Sequence, residues 1–293
     1  MLPENLKAFL AVANTGSFSE AAQTLHLTQP AVSKRVAALE SELGQRLFDR
    51  IGRRISVTEA GRVLLPRARL ILEDLAETRR LLDNLSDRVE GPLVLATSHH
   101  VGLRRLPPVL KTFARRYPAV ELDIRFMESE EACRAAELGQ VDLAVVTLPE
   151  QPSPLLTRQR IWDDPLAAMV AKDHPLASRT CTPEALSGYP AILPPEGTFT
   201  RRLVNAAFST QGMAPTRVLE THYLETLQMM ISIGLGWGVL PLSMGAGLHH
   251  LDLPGLTMHR ELGWVTHRDR TRSNAASVML AMLEGADAPS DPA

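Results

Sequence analysis

AAQTLHLTQPAVSKRVAALESELG (residues 21–44) and, two residues later, LFDRIGRRISVTEAG (residues 47–61) decide the fold of the front of this chain. Thr28 places a hydroxyl where the first free N–H groups of a helix need one, and that helix runs from Gln29 to Leu43. Gly44 supplies the left-handed residue that closes it, and Pro30 falls in the first turn, where a missing N–H costs little. Upstream, Leu2, Leu6, Phe9, Leu10 and Ala13 recur at helical spacing until Thr15-Gly16 stops them, and Ser17 can cap a short second helix through Leu25. Downstream, Leu47–Arg50 and Ile55–Val57 flank a Gly52-Arg53 turn and read as a hairpin.

Three helices and a hairpin make a winged helix-turn-helix, with Ala21, Ala22, Leu25, Val32, Val36 and Leu39 as its small core. Such a motif lays its second helix in the major groove with the N-terminal residues against base edges. Gln29 can bond adenine bidentately, Pro30 or Ala31 can touch a thymine methyl, Ser33 can bond either strand, and Lys34 can reach guanine or phosphate. Arg50, Arg53 and Arg54 on the hairpin suit phosphates or the minor groove. The formal net charge of −2 gives no hint of a nucleic-acid partner. The positive charge of residues 1–60 is nevertheless clustered at 34–35 and 46–54, as a phosphate-facing surface requires.

Thr58 caps a long helix reaching about Arg88. Leu64, Ala68, Ile71, Leu75, Leu82, Leu85 and Val89 form a heptad seam, interrupted by Thr78, and Pro66 should kink its first part. The seam fits a helix paired with a partner helix; a helix buried on its own domain is the alternative. From Gly91-Pro92 onward, β runs alternate with helical runs: Leu93–Thr97, a helix near Leu103–Tyr117, Val120–Met127, a helix near Glu130–Leu138, and Asp142–Val146. After a Pro-rich stretch a second set begins at Leu166–Ala171 and ends in a helix near Asn274–Leu283. That order predicts parallel strands joined by crossover helices.

The quoted stretches closely resemble the signature of LysR-type transcriptional regulators, over residues 1–61 and, more loosely, over the whole chain. The resemblance implies a winged helix-turn-helix, a dimerising linker helix, and an effector domain of two doubly wound lobes like a periplasmic binding protein. On that reading residues 1–60 bind DNA, 61–90 form the linker, 91–285 bind the effector, and 286–293 are a disordered tail. It also implies dimers that assemble as tetramers on interrupted palindromes and sense a small metabolite. The DNA contacts it carries over are Thr28, Gln29, Pro30, Ser33, Lys34 and Arg53.

In doubly wound sheets, ligands sit at the carboxyl ends of strands. Here several strand ends run into hydroxyl-rich helix starts, and the expected effector residues are Ser98, His99, Ser129, Thr147, Thr198, Phe199, Thr200 and His222, with Thr221 alongside. Helix N-termini carry unpaired N–H groups, so a cleft ringed by them suits a small polar, anionic ligand. Plain capping by Ser and Thr is the alternative, and the resemblance favours a pocket because the family uses the positions of Ser98 and Ser129. Glu128, if it faces the cleft, repels an anion or favours a ligand that also carries an amino group.

Other motifs lead nowhere. Gly234-Leu-Gly236-Trp-Gly238 begins like a dinucleotide fingerprint but runs into Val239-Leu240-Pro241 rather than a helix, so no cofactor is expected. His99-His100 and His249-His250 are adjacent pairs that rarely converge on one metal ion. Cys133 and Cys181 fall one in each lobe, unlike the reactive pair of the peroxide-sensing branch, and are expected to be inert. Neither a nucleophile elbow nor paired carboxylates support an enzyme. With no signal-like N-terminus and no membrane-length apolar run, the expected location is the cytoplasm. A stand-alone solute-binding protein is weakened by the same missing signal and by the basic wing.

Overall fold

The computed structural model describes residues 1–51, 54–86, 88–178 and 181–285. Two compact units, Met1–Ser86 and Asp87–Ala293, have hydrophobic cores of their own.

The first unit contains α1 (Pro3–Thr15), α2 (Phe18–Thr24), α3 (Gln29–Leu43), β1 (Phe48–Ile51), β2 (Arg54–Val57) and α4 (Glu59–Asp83). The expected caps are in place: the Ser17, Thr28 and Thr58 hydroxyls accept from the N–H groups of Glu20, Ala31 and Gly61. Gly16 and Gly44 end their helices with φ of 67° and 64°. Leu6, Phe9 and Val12 of α1 meet Ala21, Val32, Val36 and Leu39 in one buried cluster, each large side chain contributing about 1.5–3 kcal/mol. Phe48 ties the wing to this core through ring contacts with Phe9 at 5.4 Å and Phe18 at 5.9 Å. Gly61 lets α4 rest against the wing, since a Cβ there would lie 2.5 Å from the Leu47 carbonyl oxygen.

The long helix is shorter than predicted. It stops at Asp83 rather than near Arg88, with the Asn84 N–H closing onto the Arg80 carbonyl, and residues from Gly91 belong to a strand. Asn84 and Ser86 are poor helix formers because their side chains compete for the backbone. The heptad seam divides. Leu64, Ala68 and Ile71 pack on the unit's own core, whereas Leu75, Leu82 and Leu85 are exposed, Leu85 by 83%. The turn carrying Arg53 and the tail 286–293 lie outside the described residues.

The second unit contains β3 (Gly91–Thr97), α5 (His99–Arg104), α6 (Pro107–Arg116), β4 (Val120–Phe126), α7 (Ser129–Glu137), β5 (Leu143–Thr147) and β6 (Leu156–Ala171). It continues with α8 (Pro183–Leu186), β7 (Ala191–Leu193), α9 (Phe199–Ser209), β8 (Leu219–Glu220), α10 (Leu224–Ser232), β9 (Trp237–Pro241), β10 (Leu248–His250), β11 (Met258–His267) and α11 (Asn274–Glu284). The strand order is β4-β3-β5-β11-β6-β9-β7-β8, with β10 on β6. Parallel pairs β3/β4, β3/β5, β7/β8 and β7/β9 build the two lobes as expected.

Two features depart from the prediction. The single helix expected over Leu103–Tyr117 is two, because Pro107 and Pro108 cannot donate to a preceding turn and instead start a new helix. The lobes are also not purely parallel. β6 begins at Leu156, ten residues before the expected start, and pairs antiparallel with β11, a strand not anticipated at all. These two strands run through both lobes: Trp162, Leu262 and Trp264 enter the core of the first, Leu166, Val170 and Met258 that of the second. The register shifts at Leu262/Gly263, where a Cβ on Gly263 would lie 2.0 Å from the Gln159 carbonyl oxygen.

Candidate effector cleft and DNA-reading helix

The N-terminus of α3 is open to solvent. Thr28, Gln29, Pro30 and Lys34 are exposed and Ser33 is half-buried. Gln29 Nε2 donates to Ser33 Oγ at 3.0 Å, one turn along the same face, so the two side chains expected to read bases stand side by side. The buried face of α3, Val32, Val36 and Leu39, holds that polar face outward.

All eight side chains expected to meet an effector line one cleft: Ser98, His99, Ser129, Thr147, Thr198, Phe199, Thr200 and His222. The first four come from the first lobe and the others from the second. His100, Glu128, Glu130, Pro194, Leu224 and Arg260 complete the wall. The hydroxyls play different parts from those expected of a ring of caps. Only Thr198 caps its helix, its Oγ1 accepting from the Arg201 N–H at 3.2 Å. Ser98 occupies the N-cap of α5 without a side-chain capping bond, and Ser129 accepts from the Thr147 N–H at 3.2 Å, pinning the end of β5. Thr221 is not a helix start, because α10 begins at Leu224 with Tyr223 at its N-cap.

The lobes are joined across the mouth. Glu130 of α7 accepts from the Phe199 N–H at the start of α9, Glu128 pairs with His222 Nδ1 at 3.4 Å, and the His99 and Tyr223 rings meet edge-on at 5.1 Å. Burial raises the Glu128 carboxyl above its ordinary range, and His222 opposes that rise. The space inside is 50 Å³, room for about one or two waters. A larger groove of 890 Å³ adjoins the cleft and shares Thr147, Phe199 and Arg260 with it.

A buried polar cluster at and behind this wall escaped the sequence reading. Arg260 and Asp164 are opposite each other on β11 and β6, and Arg260 Nε donates to Asp164 Oδ2 at 2.7 Å. Both are buried, as is His100. Burial, with the nearby Arg260 charge, drives the His100 imidazole down to about 3, against the pull of Asp164. A signal existed: Arg260 is in phase with Met258, Leu262 and Trp264, and Asp164 with Trp162 and Leu166, so each charge falls on the buried face of its strand.

The other sequence motifs have structural explanations. Cβ atoms on Gly236 and Gly238 would lie 2.1 Å and 2.6 Å from the Pro190 and Ile192 carbonyl oxygens, so these glycines serve close backbone packing. Both cysteines are buried thiols, and burial pushes the Cys133 thiol up to about 12, with Glu130 and Glu137 adding to it. Among the described residues, no group of three or more metal-ligating side chains converges, and no helix is long and apolar enough to cross a membrane.

A DNA-reading helix in one unit and a two-lobed cleft in the other define a class: transcription regulators that carry their own ligand-binding domain. Residues 3–62 match the bacterial regulatory helix-turn-helix protein, lysR family, and residues 86–288 match the LysR substrate binding domain. The chain therefore belongs to the LysR family of transcriptional regulators, as DNA-binding proteins with an effector-binding domain rather than enzymes. The HTH-type transcriptional regulator CbbR of Rhodospirillum rubrum is 31% identical over 291 residues, covering 96% of this chain and 95% of the relative. An HTH-type regulator from the ibpB-leuC intergenic region of Azotobacter vinelandii is 67% identical over 104 residues, covering 36% of this chain and 72% of the relative. The fold is shared with CbnR, a LysR family transcriptional regulator, at a TM-score of 0.64 and 22% identity, covering 97% of this chain and 99% of that one.

Proposed function

We propose that this regulator responds to a small polar, anionic metabolite held between the lobes of residues 91–285. The observation that carries the reading is the convergence of the eight expected residues, from both lobes, on one cleft. Binding there biases the angle between lobes, because a ligand that touches both fits one arrangement better than another, and equal affinity for both would shift nothing. Residues 1–60 read the operator through Thr28, Gln29, Pro30, Ser33 and Lys34, with Arg53 on the backbone, at an interrupted palindrome. CbnR, which shares the fold, has been captured in complex with its target DNA. The linker of residues 61–90 pairs two chains through its exposed leucines, and pairs of dimers form a tetramer whose geometry on DNA the effector alters. The protein works in the cytoplasm, where both DNA and metabolite are found.

The test is isothermal titration of full-length protein with a metabolite first identified by thermal shift. Ser98→Ala and Ser129→Ala should each weaken binding. If both bind as tightly as wild type, the effector does not occupy this cleft.

A further inference from the structure

The guanidinium of Arg260 is 6% exposed and only partly used. Its Nε is taken by Asp164, and its Nη1 donates to Thr200 Oγ1 at 2.9 Å. Among the described residues its Nη2 has no hydrogen-bond partner, and neither ring nitrogen of the adjacent, equally buried His100 has one. Arg105 also approaches Asp164, at 3.6 Å, so among the described residues this one buried carboxylate is shared by two guanidiniums. An unpaired, desolvated cationic donor is expensive, and a ligand oxygen placed against it recovers that cost. Paired charged hydrogen bonds to a planar guanidinium are the strongest recognition a carboxylate finds in proteins.

We propose that Arg260 reads the effector's charge, its Nη2 pairing with a carboxylate of the ligand. The inference rests on the reading that the effector enters the cleft, and it narrows the ligand's class. Glu128 and Glu130 stand at the rim, so a second negative charge on the ligand is repelled there, while a hydroxyl or amino group finds an acceptor. The ligand is a small monocarboxylate carrying a hydrogen-bond donor. Arg260 belongs to one of the two strands shared by the lobes, so the contact is made at their junction.

The experiment measures the melting temperature of full-length protein with glycolate, lactate, L-alanine and L-serine, each beside its primary amide, at ionic strength held constant with sodium chloride. A carboxylate that stabilises where its amide does not is expected. Arg260→Lys keeps a charge against Asp164 but removes the fork, and should weaken that carboxylate roughly tenfold. Thr200→Val removes the acceptor of Nη1, so that Nη1 and Nη2 can both pair with the ligand carboxylate, and should tighten its binding severalfold; this variant decides the matter if the Lys variant does not fold. Amides as good as their carboxylates, or no carboxylate binding at all, overturn the proposal. Wild-type carboxylate affinity in both variants, with loss in Ser129→Ala, overturns the role of Arg260 and leaves the cleft standing. Loss only in Arg158→Gln, on the larger groove, overturns the cleft as well.

Discussion

Replacing His100 by Gln should remove a large part of the acid sensitivity of the second unit. The imidazole is 6% exposed, and burial and Arg260 hold it at about 3, against 6.5 for an unconstrained histidine. Between those values the unfolded chain binds a proton that the folded one does not, so stability is fully present above about 6.5 and is lost as pH falls towards 3. Over the whole window this amounts to about 5 kcal/mol, and between pH 7 and pH 5 to about 2 kcal/mol. Trp162, Trp237 and Trp264 all lie in the second unit, so urea unfolding followed by tryptophan fluorescence reports on that unit. Wild type should lose about 2 kcal/mol more than His100→Gln on going from pH 7 to pH 5. Equal losses would show that His100 is protonated in the folded protein at pH 5, and the account of a desolvated, neutral imidazole beside Arg260 would be wrong.

Gln29→Ala should lower specific DNA affinity by roughly 1–3 kcal/mol and leave non-specific affinity unchanged, measured by fluorescence anisotropy at fixed salt; equal loss on both would contradict a base contact. Leu82→Arg should dissociate a dimer in sedimentation experiments at tens of micromolar, and a monomeric wild type would sink the pairing of α4. Ile71→Arg is a different perturbation: Ile71 packs on its own unit's core, so it should lower that unit's melting temperature instead. Cys133 and Cys181 should react with a thiol reagent only as the protein unfolds; fast reaction in the native state would refute the burial argument.

The first unit was legible almost residue by residue because its signals are local. Thr28 and Gly44 bracket one helix, Ser17 and Thr58 start two others, and each signal acts within a few residues. The lobes were less so. β6 has Pro165 and the polar stretch Arg158-Gln159-Arg160 inside it, β11 has Gly263, and the Asp164–Arg260 pair that marks their meeting spans 96 positions. No local pattern announces a pairing at that distance. The cleft's hydroxyls were visible because they follow strand ends. Arg260, His100 and Glu130 were not, since their roles depend on what lies across the fold.

The pair of crossing strands also sets an order of events during synthesis. The chain leaves the first lobe along β6, builds the whole second lobe, and returns along β11 before α11 packs Ala275, Met279 and Leu283 into the first lobe's core. Emerging from the ribosome, the second lobe has its whole core once Met258 is out, while the first still lacks the rest of β11 and its closing helix. The first lobe's apolar surface stays uncovered longest, although most of it is made earliest. A chain cut short between His267 and Asn274 loses the closing helix of the older lobe and nothing from the core of the newer one.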